Sequence, residues 1–107
     1  MNWQVRSDQR SLTLHREIAR KLREDPNLWR IPLENIARWK RRTGHLSPAV
    51  LEWEQLLATQ SPAQLLDILE SEAEEPTRLR SSSPFTGILT VSERAAIFAS
   101  YQALITA

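Results

Sequence analysis

The chain has 107 residues, 41% of them hydrophobic and 25% charged, which suits one globular domain with a modest core. It has no cysteine, so disulfides, thiolate metal sites and cysteine nucleophiles are excluded, and only two glycines, which argues against a loop-rich or all-β chain. The net charge of +1 hides an asymmetry: residues 1–46 carry eleven Lys/Arg against five Asp/Glu, residues 47–76 none against seven, and residues 77–107 three against one. Either acidic helices pack beside basic ones and the fields cancel, or a basic patch faces an anionic partner. The N-terminus lacks the apolar run of a signal peptide, and no stretch approaches the roughly 18 apolar residues of a membrane span, so a cytoplasmic location without membrane contact is expected.

In chain order, residues 1–10 are polar apart from Trp3 and Val5 and lead into the first helix, with their own order left open. From Ser11 to Asp25 the pattern is helical: Leu14, Ile18 and Leu22 recur every four residues, and Leu12, His15 and Ala19 widen the stripe. Asp25-Pro26 reads as an N-cap followed by proline at the first helical position. Pro32 interrupts the second helical stretch, predicting a kink, or a turn and then a helix from Pro32 to Thr43, with Leu33, Ile36 and Ala37 inward and Trp39 at the margin. Gly44 ends it. Ser47-Pro48 and Ser61-Pro62 are two further starts, the second with Gln64 completing a capping box. The third helix offers Val50, Trp53, Leu56 and Leu57, and the fourth Leu65, Leu66, Ile68 and Leu69.

The fourth helix is expected to fray through Glu70–Glu75 and stop before Pro76, because acids oppose the dipole at a helix C-terminus. Residues 76–89 then read as a functional loop. Thr90-Val91-Ser92-Glu93 is a second capping box. The helix it opens, Ser92 to about Ile105, is apolar nearly all round, as in a helix that is buried or lies against a partner. The expected architecture is all-α, a compact orthogonal bundle of about five helices forming one domain over residues 1–107.

Catalytic chemistry has little to build on. Of the two histidines, His15 falls within the first helix's apolar stripe, where a buried imidazole bonded to a carbonyl or a carboxylate is expected, and His45 follows a helix-ending glycine. No His/Asp/Glu spacing fits a metal site, and neither a cofactor nor a small-molecule substrate is expected. Arg38, Lys40, Arg41 and Arg42 crowd one helix end and form a possible nucleic-acid contact, although cations there also complement the helix dipole. Residues 33–59 have roughly helix-turn-helix spacing, but the would-be reading helix carries Glu52, Glu54 and Gln55 and no Lys or Arg, so phosphates would repel it. The loop at residues 78–85 is the more suggestive feature. Arg78, Arg80, Ser81, Ser82, Ser83 and Phe85 combine two forked cations, three hydroxyls and an aromatic anchor, a set suited to an acidic or phosphate-bearing pocket on a partner. The alternative is that Phe85 and Leu89 join the core while the arginines pair with the acidic end of the fourth helix.

The run Arg78-Leu79-Arg80-Ser81-Ser82-Ser83-Pro84-Phe85-Thr86-Gly87-Ile88-Leu89-Thr90, then Glu93-Arg94, resembles a small bacterial family. Leu14-His15-Arg16-Glu17-Ile18-Ala19, Lys21-Leu22-Arg23, Asn35-Ile36-Ala37-Arg38-Trp39, Glu52-Trp53 and Leu56-Leu57 are similar too, so the likeness spans roughly residues 12–98. Its members look like the antitoxin halves of toxin–antitoxin pairs, often beside a nucleotidyltransferase-like toxin, and some carry an added helix-turn-helix domain. These 107 residues show no such added domain and place Pro32 where the relatives continue a helix. The resemblance implies a non-enzymatic antitoxin that binds a cognate toxin directly. The alternative is a nucleic-acid-binding regulator using the basic N-terminal helices.

Overall fold

Serine–proline pairs fix two of the helix starts. Ser47 and Ser61 sit in extended backbone, and each side chain accepts a hydrogen bond from the backbone N–H three residues on, while the following proline needs no donor there. The computed structural model describes residues 3–106, with side chains over residues 5–102. Met1 and Asn2 of the N-terminal lead, and the side chains of Trp3, Ala103, Leu104 and Ile105, lie outside the described residues. The elements are α1 (Trp3–Glu24), a 3-10 turn (Pro26–Trp29), α2 (Arg30–Thr43), α3 (Pro48–Thr59), α4 (Pro62–Glu70), α5 (Glu74–Arg80) and α6 (Val91–Thr106). Among the described residues there is no strand, and the fold is all-α.

Six α-helices replace the expected five, and two prolines account for the difference. Pro32 stands third in α2 and Pro76 third in α5, both inside a first turn, where backbone N–H groups have no intrahelical acceptor to lose. Pro32 therefore neither kinks nor starts the helix: the Asp25-capped 3-10 turn runs straight into α2. Residues 74–80 are helical rather than the tail of a fraying helix or the start of a loop. Glu74 and Glu75 occupy the N-terminal turn of α5, where acids favour the dipole. At the other end of the chain, α1 begins at Trp3 and takes in most of the polar lead.

α1 is the central rod, packed against the 3-10 turn, α4, α5 and α6, while α2 packs on α3. Its buried stripe is Leu12, His15, Ile18, Ala19 and Leu22. Of these, Ile18, Ala19 and Leu22 meet Leu65 and Leu69 of α4, Leu79 of α5, Trp53 of α3, and Phe85 and Ile88 of the last connection in one core. The face of α2 differs from the expectation. Pro32, Asn35 and Ile36 are buried, whereas Leu33 and Ala37 are exposed, so a polar residue takes the inward position and rotates the buried face. Trp53 and Phe85 are almost fully buried and meet edge to face at 5.5 Å, and Trp53 Nε1 donates to the Leu79 carbonyl at 2.8 Å.

Candidate functional site

The segment from Arg78 to Thr90 is held on the core by three polar attachments. Asn35 Nδ2 donates to the carbonyls of Pro84 and Thr86, both at 2.8 Å, and Asn35 Oδ1 accepts from Arg38 Nη2 at 2.6 Å. The Trp53 bond fixes the end of α5. Thr90 and Glu93 form the expected reciprocal cap: the Thr90 N–H donates to Glu93 Oε1 at 2.8 Å, and the Glu93 N–H donates to Thr90 Oγ1 at 3.1 Å. Glu93 also receives Lys21 of α1, and these donors hold its carboxyl down at about 2. With Pro84 and Phe85 buried beneath it, this connection is part of the scaffold.

The six residues expected to form one inserted element are split by this packing. Phe85 is 1% exposed and lies between Trp53 and Trp29, so no partner can reach its ring. Arg80 is 3% exposed. Its Nη1 donates to the carbonyls of Ile68 at 2.9 Å and Ser71 at 2.6 Å, and its Nη2 to Thr77 Oγ1 at 3.1 Å, so it caps the C-terminus of α4. Arg78 stays on the surface in a two-pronged pair with Glu52 of α3, each arm at 3.0 Å, and a second pair with Glu75. The guanidinium lowers both carboxyls and is itself raised by them. The serines unwind α5: the Ser81 hydroxyl donates to the Arg78 carbonyl at 2.6 Å, and Ser83 Oγ accepts from the Phe85 N–H at 3.2 Å. Ser82 joins this turn through its backbone, donating to the Leu79 carbonyl at 3.1 Å. The aromatic anchor and one of the two cations are thus consumed by the fold.

The basic cluster divides as well. Lys40 pairs with Glu54 at 3.1 Å and Arg38 is bonded to Asn35, while Arg41 and Arg42 are exposed at the C-terminal turn of α2. Elsewhere Arg16 meets Glu72 in the break after α4, and Arg23–Glu70 and Arg78–Glu52 join helices, so much of the charge asymmetry cancels internally.

His15 is 6% exposed. Its Nδ1 lies 2.7 Å from the Ser11 carbonyl, an acceptor, so that nitrogen carries a proton; Nε2 has no protein hydrogen-bond partner. Burial pushes it down to about 4, against the raising effect of the Ser11 bond, with Arg80 adding to the fall. Among the described residues no group of three His, Asp or Glu side chains could hold a metal ion, and no helix is long and apolar enough to cross a membrane.

α6 is the element whose sequence and environment disagree. Its only charged residues are Glu93 and Arg94, and residues 95–106 carry none, yet no described side chain of the helix is buried. One edge meets α1, where Tyr101 Oη lies 2.7 Å from Thr13 Oγ1 and donates to the Gln9 carbonyl at 3.1 Å. Phe98 is clasped by two guanidinium groups, Arg10 at 4.4 Å and Arg94 at 5.1 Å from the ring centre. The other edge shows Val91, 87% exposed, with Ala95, Ala96 and Ala99. The even apolarity of this helix was visible in the sequence; that its own chain leaves one face uncovered was not.

Comparison of the chain with protein-family models, with curated proteins and with solved structures returns no match. Fold and site define the class: an all-α protein with one core, a committed connection at residues 81–90 and an uncovered apolar helix.

Proposed function

We propose that the chain is a cytoplasmic antitoxin that neutralises a co-encoded, nucleotidyltransferase-like toxin by direct binding, and that α6 is its docking helix. It works by covering a surface and has no catalytic step or cofactor of its own. The supporting observation is the apolar face of α6, exposed at Val91, Ala95, Ala96 and Ala99. A charge-free helical face open to solvent is a site for a partner's apolar surface. Relative to the sequence expectation, the contact moves from Phe85 and Arg80 to α6, with Arg78 and Ser81 as exposed polar groups nearer α3 and α5.

Co-expression with the product of the adjacent gene tests this. The expected result is relief of that product's growth arrest and co-purification of the two, both lost on Ala95→Glu with Ala99→Glu while helicity is kept. Rescue by that double variant would remove α6 from the interface; an adjacent product that neither arrests growth nor binds would remove the antitoxin reading.

A second reading rests on Arg41 and Arg42, exposed at a helix end. Phosphate binding by so few uncommitted cations would be weak and steeply salt-dependent. Low-salt binding of a DNA or RNA duplex, abolished by Arg41→Ala with Arg42→Ala, would instate the nucleic-acid role.

A further inference from the structure

Between the middle of α1 and the turn that leads into α6 lies a cleft of about 320 Å³. Its apolar walls are Leu14 and Ile18 of α1, Phe85 and Leu89 of the segment that precedes α6, and Val91, the first residue of α6. Open clefts of roughly 300–1,000 Å³ with apolar walls and a few polar groups are the usual seats of small ligands.

The polar lining is one-sided. No carboxylate borders the cleft, while Arg94 stands at it with its guanidinium on the Phe98 ring and no acid beside it among the described residues. The neighbouring Glu93 is committed to Lys21 and to the Thr90 N–H. Ser83 Oγ already accepts from the Phe85 N–H, which leaves its hydroxyl proton free to donate. His15, in the wall, is neutral with its proton on the Ser11 side, so it adds no competing charge. An apolar slot with a cation, hydroxyls and no acid is complementary to an apolar chain ending in a negative charge.

We propose that this cleft binds a small amphipathic carboxylate, its hydrocarbon part against Leu14, Leu89 and Val91 and its carboxylate on Arg94 and the Ser83 hydroxyl. The molecule is a ligand and is not turned over. The site shares Val91 with the exposed face of α6 but none of its alanines, and stands whether or not the antitoxin reading does.

Sodium octanoate below its micelle concentration is the probe, titrated into the full chain and followed by amide proton–nitrogen correlation spectra, with octanol as the uncharged comparator. Saturable shifts are expected at residues 14–18 and 83–94, with octanol bound more weakly. Arg94→Ala, a surface change, should weaken octanoate about ten-fold, as loss of one charge-assisted contact does. Leu14→Trp, which fills the slot, should abolish binding; if it fails to fold, Arg94→Ala decides alone. Shifts that never saturate, that spare Ile18 and Gly87, or an Arg94→Ala affinity equal to the parent's would overturn the proposal.

Discussion

Two arginines two residues apart illustrate how far a side chain's role depends on where its backbone stands. Arg78 and Arg80 share a helix of seven residues, yet Arg78 is solvated and ion-paired while Arg80 is buried among carbonyls. Arg78→Ala should leave the melting temperature nearly unchanged, since exposed pairs contribute little. Arg80→Ala strands the Ile68 and Ser71 carbonyls and should cost roughly 3 kcal/mol, read from urea unfolding. Equal effects of the two substitutions would contradict the placement. His15 makes a second residue-scale case. Its folded value of about 4 lies below the ordinary 6.5, so the unfolded chain binds the proton more readily. Its contribution is present above pH 6.5 and is lost as the pH falls toward 4, to a total of about 3 kcal/mol. Carboxylates lowered by their pairs, such as Glu17, Glu70 and Glu93, lose stability only as the pH falls below their usual 4.5. The window from 6.5 to 4.5 therefore reports on His15, and His15→Phe should flatten the urea midpoint there.

Among the elements, caps were legible in the sequence and prolines were misleading. Ser47, Ser61 and Thr90 each start a helix where their hydroxyls predicted, because a cap is a local contest settled within four residues. Ser61→Ala should cost about 1 kcal/mol and lower the thermal midpoint without changing the folded spectrum. Pro32 and Pro76 carried an ambiguous signal: the same residue that breaks a helix interior is harmless in a first turn, and which applies depends on residues upstream. The acidic run at residues 70–75 reads as a frayed C-terminus or as a favourable N-terminus, according to where the break falls. The break at residues 71–73 turns on Arg80 capping the end of α4, a contact from nine residues away. Asn35 shows the same limit: a polar residue predicts an outward face, and only the loop carbonyls it meets from 49 and 51 residues away turn it inward. Phe85 was legible as an anchor, but whether it anchors a partner or its own core is decided by Trp29 and Trp53, far off in sequence.

At the level of the whole molecule, the core and the uncovered surface belong to different parts of the chain. The buried cluster draws on α1, α3, α4, α5 and the connection that includes Ile88, and contains no described side chain of α6. α6 attaches through the rim of α1, by Tyr101, the Arg10–Phe98–Arg94 stack and the Lys21–Glu93 pair, contacts that are polar or half-exposed. The described contacts of α6 lie outside the buried cluster, so removing the helix should leave that cluster closed, which is what a docking element permits and a core helix does not. A chain ending at Thr90 should therefore keep cooperative unfolding and the near-ultraviolet signature of the Trp53–Phe85 contact, at reduced stability, because Leu14 and Leu89 lose a neighbour. It should also lose rescue of the adjacent gene's growth arrest. Loss of the near-ultraviolet signal on truncation would place α6 in the cooperative core; retention of the signal with loss of rescue would separate fold from docking along the boundary at Thr90.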